Sequence, residues 1–309
     1  MLFLFYTVAR QLQKQPHWKD SVYQILGATS GKQKWKLFCV FGLMGMNWSV
    51  EALKWKLALK SIQEIRFLRA LKAILAGTCI ASFTPNRVGE YLGRMLFVEQ
   101  GNKIPSIAPT ILCSMSQMLI TGITGTIGLY VYSRHSFHFE AGWLSPLLIK
   151  SAMIATGLVT IGFGMVFFRF DPLVKWVNAW LKRNRKTFTI PEDFNLKTLS
   201  SIFLLSAFRY GVFIAQYFLL FSLFGIQMNV FEVFTGVSVM FVLMAFIPTL
   251  TFLTDLGFRW IAGIQVFQVY TSNTAGILGV SLGIWLINLI IPALIGSLLI
   301  LRIKLFSSR

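Results

Sequence analysis

An uncharged apolar stretch of about 20 residues is long enough, as a helix, to cross the hydrocarbon of a bilayer. Four stretches of this kind dominate the chain: Ile104–Tyr132, Ser151–Phe168, Val233–Thr254 and Trp260–Leu301. The last is long enough for two segments, divided at the polar Thr271–Gly276. Two further runs carry one charge each, Leu37–Leu53 with Glu51 and Leu199–Val230 with Arg209. Ala73–Thr84 is too short to cross alone, as is Met1–Ala9, which lacks a signal-peptide cleavage pattern. Only 13% of residues are charged, against roughly a quarter in a soluble domain, so a water-facing fold is excluded. The expected fold is all-α: a polytopic membrane helix bundle of about seven or eight membrane segments, some re-entrant or broken. It forms a single integral membrane domain, 1–309.

Basic residues outnumber acidic ones 29 to 11, a net charge of +18. On a soluble fold that excess would point to nucleic acid. Here most cations flank apolar segments, where they set sidedness, and no nucleic-acid partner is expected. The stretch 169–198 carries Arg169, Lys175, Lys182, Arg183, Arg185, Lys186 and Lys197 and is expected in the cytoplasm. It separates a first half, 35–168, from a second, 199–309. Segments near 199–225, 233–254, 258–272 and 276–301 would return the tail, with Arg302, Lys304 and Arg309, to the cytoplasmic side of the inner (plasma) membrane. Lys54–Lys72 and Arg87–Lys103 are both basic, so the short run between them reads as a re-entrant hairpin. That places Arg10–Lys36 outside, against the rule; either a helix precedes it or the hairpin is a span, and both stay open. Trp35, Trp55, Trp143, Trp176, Trp180 and Trp260 sit at segment ends, as interfacial indoles do. Trp48 and Trp285 lie deep in apolar runs.

Two interrupted segments stand out, 73–94 and 245–260. In Ala81–Arg94 (ASFTPNRVGEYLGR) an apolar run meets Pro85, then Arg87, Gly89, Glu90, Gly93 and Arg94. Pro85 breaks the helical ladder, and irregular backbone at membrane depth is tolerated only in protein or beside a wet cavity. In Ala245–Trp260 (AFIPTLTFLTDLGFRW) the order repeats: Pro248, Asp255, Gly257, Arg259. The match is loose, with five residues from Pro85 to Glu90 and seven from Pro248 to Asp255. Paired broken segments in two halves point to a substrate site within an inverted repeat. Candidate substrate-binding residues are Arg87, Glu90, Arg94, Arg209, Asp255 and Arg259, with Pro85, Gly89, Gly93, Pro248 and Gly257 shaping the backbone. Arg209, inside an apolar helix, is costly unpaired; an ion pair with Glu232 or Asp255 is the plain structural alternative.

The stretch TPNRVGE, residues 84–90, followed by Arg94, resembles the signature of the lysylphosphatidylglycerol synthase transmembrane-region family of flippase-like membrane proteins. Asn47-Trp48…Glu51…Lys54-Trp55-Lys56 is similar to the family's basic helix end upstream of it. Ile247-Pro248…Leu256-Gly257-Phe258-Arg259 resembles its second Pro-Gly cassette. The likeness covers about residues 35–305. Two departures stand: the arginine follows the glutamate by four positions rather than three, and Trp260 occupies the place of an acid after Arg259, so whether Asp255 takes that role stays open. The resemblance implies an inner-membrane protein that moves an aminoacylated phospholipid between leaflets, a separate soluble domain attaching the amino acid. With no room for that domain before Arg309, the chain is expected to move a lipid made elsewhere.

The leading expectation is a translocator for an anionic or aminoacylated phospholipid or lipid-linked headgroup. The rivals are a membrane transferase with Glu90 as general base, and a non-transporting subunit anchoring a lipid-modifying enzyme. Expected partners are membrane lipids, with such an enzyme or a second copy of the chain as further candidates. Pro172–Lys186 reads as an interfacial helix or an ordinary basic loop. Asn288 reads as helix–helix glue, and Gly122, Gly125 and Gly128 as close packing. Cys39, Cys79 and Cys113 are isolated, and His135, His138 and Glu140 read as a loop; no metal, cofactor or catalytic constellation is expected.

Overall fold

The computed structural model describes residues 34–135, 146–183, 194–246 and 252–307. Among them every regular element is helical. Met1–Ala9, nearly all of Arg10–Lys36, the loop around His138 and Glu140, Trp143, and Ile247–Pro248 lie outside the described residues. Helix α1 is Lys34–Leu59, α2 Phe67–Ala81, and after a 3-10 turn at Pro85–Arg87 comes the short α3, Gly89–Met95. Then follow α4 (Ile107–His135), α5 (Pro146–Phe168), α6 (Phe170–Arg183), α7 (Leu196–Leu223), α8 (Val230–Phe246), α9 (Phe252–Phe267) and α10 (Thr274–Trp285). A π turn at Leu286–Ile290 leads into α11, Ile291–Ser307.

Among the described residues, four helices are long and apolar enough to cross a membrane: Ile107–Arg134, Leu147–Phe168, Leu196–Leu223 and Thr274–Leu301. Helix α5 turns nearly all of its apolar length outward, with Leu147, Leu158 and Met165 exposed. In water such a patch would aggregate; in a bilayer it meets acyl chains. The chain is a multi-span membrane helix bundle. Inside it, α1 packs along α7, α4 lies against α5, α7 and α8, and α2 is held between α3 and α11.

The helix boundaries depart from the apolar runs in two places. Helix α1 continues past Leu53 to Leu59 because Lys54 and Trp55 are buried with partners rather than left at an interface. Trp55 is therefore not interfacial: its indole Nε1 donates to Thr110 Oγ1 at 3.1 Å. Of the expected segment 233–254, α8 covers the part to Phe246 and α9 the part from Phe252, with 247–251 outside the described residues. Asp255 thus falls in the first turn of α9, where the helix dipole favours an acid. The break at Thr271–Gly276 stands as read, since the Asn273 side chain caps α10 by accepting from the Gly276 N–H at 2.9 Å.

Helices α2 and α3 form a tight hairpin around Pro85. The Thr84 hydroxyl accepts from the Gly89 N–H at 2.7 Å and ties the turn. Gly89 and Gly93, one turn apart, let α3 lie directly on α2. A Cβ on Gly89 would stand 2.6 Å from the carbonyl of Ile80, and one on Gly93 would overlap the backbone of Gly77. Gly257, by contrast, sits in α9 with open space around it, so packing does not require glycine there. Gly125 and Gly128 do serve close packing, against Val242 and Ser238 of α8, and Gly122 against Thr160 of α5.

This contrast predicts opposite outcomes for two substitutions. Gly93→Ala should destabilise the detergent-solubilised protein by about 1–3 kcal/mol through overpacking. Gly257→Ala should leave it unchanged or stabilise it by up to about 1 kcal/mol, the helix preference for Ala over Gly. Thermal unfolding of both variants checks this.

Candidate functional site

Three helices that are distant in sequence converge on one buried ionic network. Glu51 of α1, whose side chain is 7% exposed, is its hub: one carboxylate oxygen lies 3.0 Å from Arg94 Nη2, the other 2.7 Å from Lys54 Nζ and 3.1 Å from Arg209 Nη1. Arg94 also pairs with Glu90 one turn back on α3, and its guanidinium faces the Trp55 ring. Lys54 donates to Ser206 Oγ at 3.2 Å. Removing several cations from water costs several kcal/mol each unless counter-charge and hydrogen bonds surround them, and Glu51 supplies that counter-charge to three at once.

A chain of amides continues the network. Arg209 donates from Nε to Asn47 Oδ1 at 2.6 Å and from Nη1 to Gln117 Oε1 at 3.3 Å. Asn47 donates to Asn288 Oδ1 at 3.1 Å, and Asn288 to Gln216 Oε1 at 3.0 Å. Asn288 is glue between helices, as read from sequence, and the π turn makes it so. Pro292 cannot donate to the Asn288 carbonyl four residues back. The preceding turn widens instead, with the Ile291 N–H bonding to Leu286 O. Arg209 is paired with Glu51, not with Glu232 or Asp255 as the sequence allowed. Glu232 instead exchanges hydrogen bonds with Asn229 at the start of α8.

Beside this network lies a cavity of about 110 Å³, room for several water molecules at about 10–15 Å³ each. The first broken segment contributes Ser82, Thr84 and Arg87 to its wall, and the second contributes Asp255 and Arg259. Arg209 and Phe213 of α7 and Trp48 of α1 close the sides. The two segments match in a way that was not read from the sequence: each helix after a break carries an acid and an arginine one turn apart. In α3 these are Glu90 and Arg94; in α9 they are Asp255 and Arg259, 3.3 Å apart. Arg259 also donates to Tyr217 OH at 3.1 Å. Glu90 and Arg94 stand behind the wall, linked to it through Glu51.

Arg87 differs from the other arginines. It and Asn86 adopt left-handed backbone, φ 58° and 49°, which a non-glycine residue other than Asn seldom takes. Its side chain is exposed and has no partner among the described residues. Buried donors also remain without acceptors at Trp48 Nε1, Arg259 Nε, Arg94 Nε and Arg94 Nη1. A buried donor of this kind calls for a partner, which water or a ligand in the adjoining cavity can supply to those that line it.

Asn47, Glu51 and Lys54, which carry part of the family resemblance, were not among the candidate substrate-binding residues, and neither were Gln117 and Gln216. The available signal was periodicity: Asn47, Glu51 and Lys54 recur at helical spacing within an apolar run, a polar stripe facing inward. Glu51→Gln should cost about 3–5 kcal/mol, leaving three buried cations with one fewer counter-charge. Glu90→Gln should cost less, since its side chain is 21% exposed. Chemical or thermal unfolding in detergent compares the two.

Among known families, the chain matches the one described as the lysylphosphatidylglycerol synthase TM region, over residues 19–296. Searches of curated proteins and of solved structures found no match. The fold, the Pro85 hairpin and this match agree: the chain belongs to the lysylphosphatidylglycerol synthase transmembrane-region family.

Proposed function

We propose that the chain is a lipid translocator, passing a phosphate-bearing lipid headgroup between leaflets through the cavity where its two broken segments meet. The observation that carries this reading is the convergence of Arg87, Arg209 and Arg259 on one cavity inside a membrane bundle. A headgroup phosphate entering hydrocarbon needs a cationic, hydrogen-bonding path, and the planar guanidinium fork fits phosphate oxygens. The acyl chains need no such path and can remain in lipid while the headgroup moves.

The α2–α3 hairpin then acts as a re-entrant element. At 15 residues α2 is about 22 Å long, short of the roughly 30 Å hydrocarbon thickness. It presents its polar turn to the cavity rather than to the far side. The basic stretch 169–198 lies on the cytoplasmic face of the inner membrane in this account, available to anionic lipid or to a lipid-modifying enzyme. Glu90 is tied to Arg94, which weighs against a transferase that uses it as a free general base.

The purified chain in liposomes should equilibrate a fluorescent phospholipid between leaflets without altering it. Arg87→Gln should slow that exchange about tenfold, a loss of about 1.4 kcal/mol of transition-state stabilisation. It should leave thermal stability unchanged, because Arg87 has no partner among the described residues to lose. Emergence of chemically modified lipid would instead establish a transferase, and no exchange with any lipid would favour an anchoring subunit.

A further inference from the structure

We infer that the headgroup this cavity takes is anionic and lacks an amine: a phosphate monoester or diester, free or capped by hydroxyl groups, rather than a zwitterionic or aminoacylated one. The inference rests on the translocator reading for its lipid setting, but its evidence is the inventory of acceptors and donors around the cavity.

An ammonium group needs a carboxylate, a free acceptor oxygen or an open aromatic face. Among the described residues, the helices and turn around the cavity carry three carboxylates, and each is paired with at least one arginine, Glu90 and Asp255 through one oxygen each. Glu51 is bridged by Lys54, Arg94 and Arg209, Glu90 by Arg94, and Asp255 by Arg259. The amide oxygens are engaged too: those of Asn47 and Gln117 accept from Arg209, that of Asn288 from Asn47, and that of Gln216 from Asn288. Two of the aromatic rings that could cage a cation already face one. Arg209 stands 5.8 Å from the centre of the Trp48 ring and 5.4 Å from that of Phe213.

Cationic and N–H donors are in excess. Among the described residues, Trp48 Nε1 and Arg259 Nε are buried with nothing to donate to, and the Arg87 guanidinium has no partner. All three residues line the cavity. Five cations (Lys54, Arg87, Arg94, Arg209 and Arg259) face the three carboxylates, so the field at the cavity favours an anion. A lysine-bearing headgroup would bring a further cation to carboxylates that are already paired. Specificity of this kind comes from repelling the wrong ligand as much as from holding the right one.

Native mass spectrometry of the full chain in neutral detergent tests the inference. The lipids are phosphatidylglycerol, phosphatidic acid, phosphatidylethanolamine and lysylphosphatidylglycerol. The first two should be retained at least about tenfold more tightly than the last two, a gap of about 1.4 kcal/mol. Trp48→Phe keeps the ring and removes the free N–H. It should cut anionic-lipid retention several-fold without moving the thermal midpoint, and Arg87→Gln should do the same. Equal or tighter retention of the amine-bearing lipids would overturn the inference. Displacement of phosphatidylglycerol by millimolar inorganic phosphate would overturn the assignment to a lipid headgroup. Anionic selectivity in a chain that moves no lipid in liposomes would sink the translocator reading and leave this one standing; transport without selectivity would do the reverse.

Discussion

A single carboxylate, that of Glu51, holds three cations from three helices inside the bundle. Lys54 lies on its own helix, Arg94 on the short helix after the first break, and Arg209 on the long helix α7. In a medium that solvates charge poorly, none of the three is stable without a counter-ion. The mutual placement of α1, the α2–α3 hairpin and α7 therefore follows from where that carboxylate stands. The amide relay through Asn47, Asn288 and Gln216 extends the same constraint to the π turn between α10 and α11.

That constraint also shapes the cavity. Arg209 is held from behind by Glu51 and from the sides by Asn47 and Gln117, so its position does not depend on any ligand. Arg259 is held likewise by Asp255 and Tyr217. Arginines anchored in this way form a preorganised cationic wall, and the binding of an anion need not order flexible side chains first. Arg87 is the exception: its backbone is left-handed and its side chain exposed, and in the proposed translocator it is the cation most open to an arriving headgroup.

Much of the fold was legible because the bilayer imposes a length and a composition on any helix that crosses it. The apolar runs located α4, α5, α7 and α10–α11, and Pro85 marked the hairpin. The arginines were legible as charges out of place. Glu51 was not, because within one sequence it looked like a lone blemish in an apolar run. Its meaning depends on Arg94 and Arg209, which lie 43 and 158 residues away and meet it only in the folded bundle. The same limit misplaced Trp55, read as interfacial beside two lysines yet buried against Arg94 and Thr110, and it misassigned the partner of Arg209. The shared acid–arginine spacing in α3 and α9 was visible in sequence, but counting from each proline hid it. What the two helices share is the single turn between acid and arginine, not the distance of the acid from the proline or from the helix start.

The coupling between Glu51 and Arg209 tests the central claim most directly. Unfolding free energies are measured for Glu51→Gln, Arg209→Gln and the double variant in the same detergent. If one carboxylate organises the network, the double variant will be less destabilised than the sum of the singles, with a coupling of about 1–3 kcal/mol. Additivity within about 0.5 kcal/mol would mean that the two residues act independently, and would contradict the account.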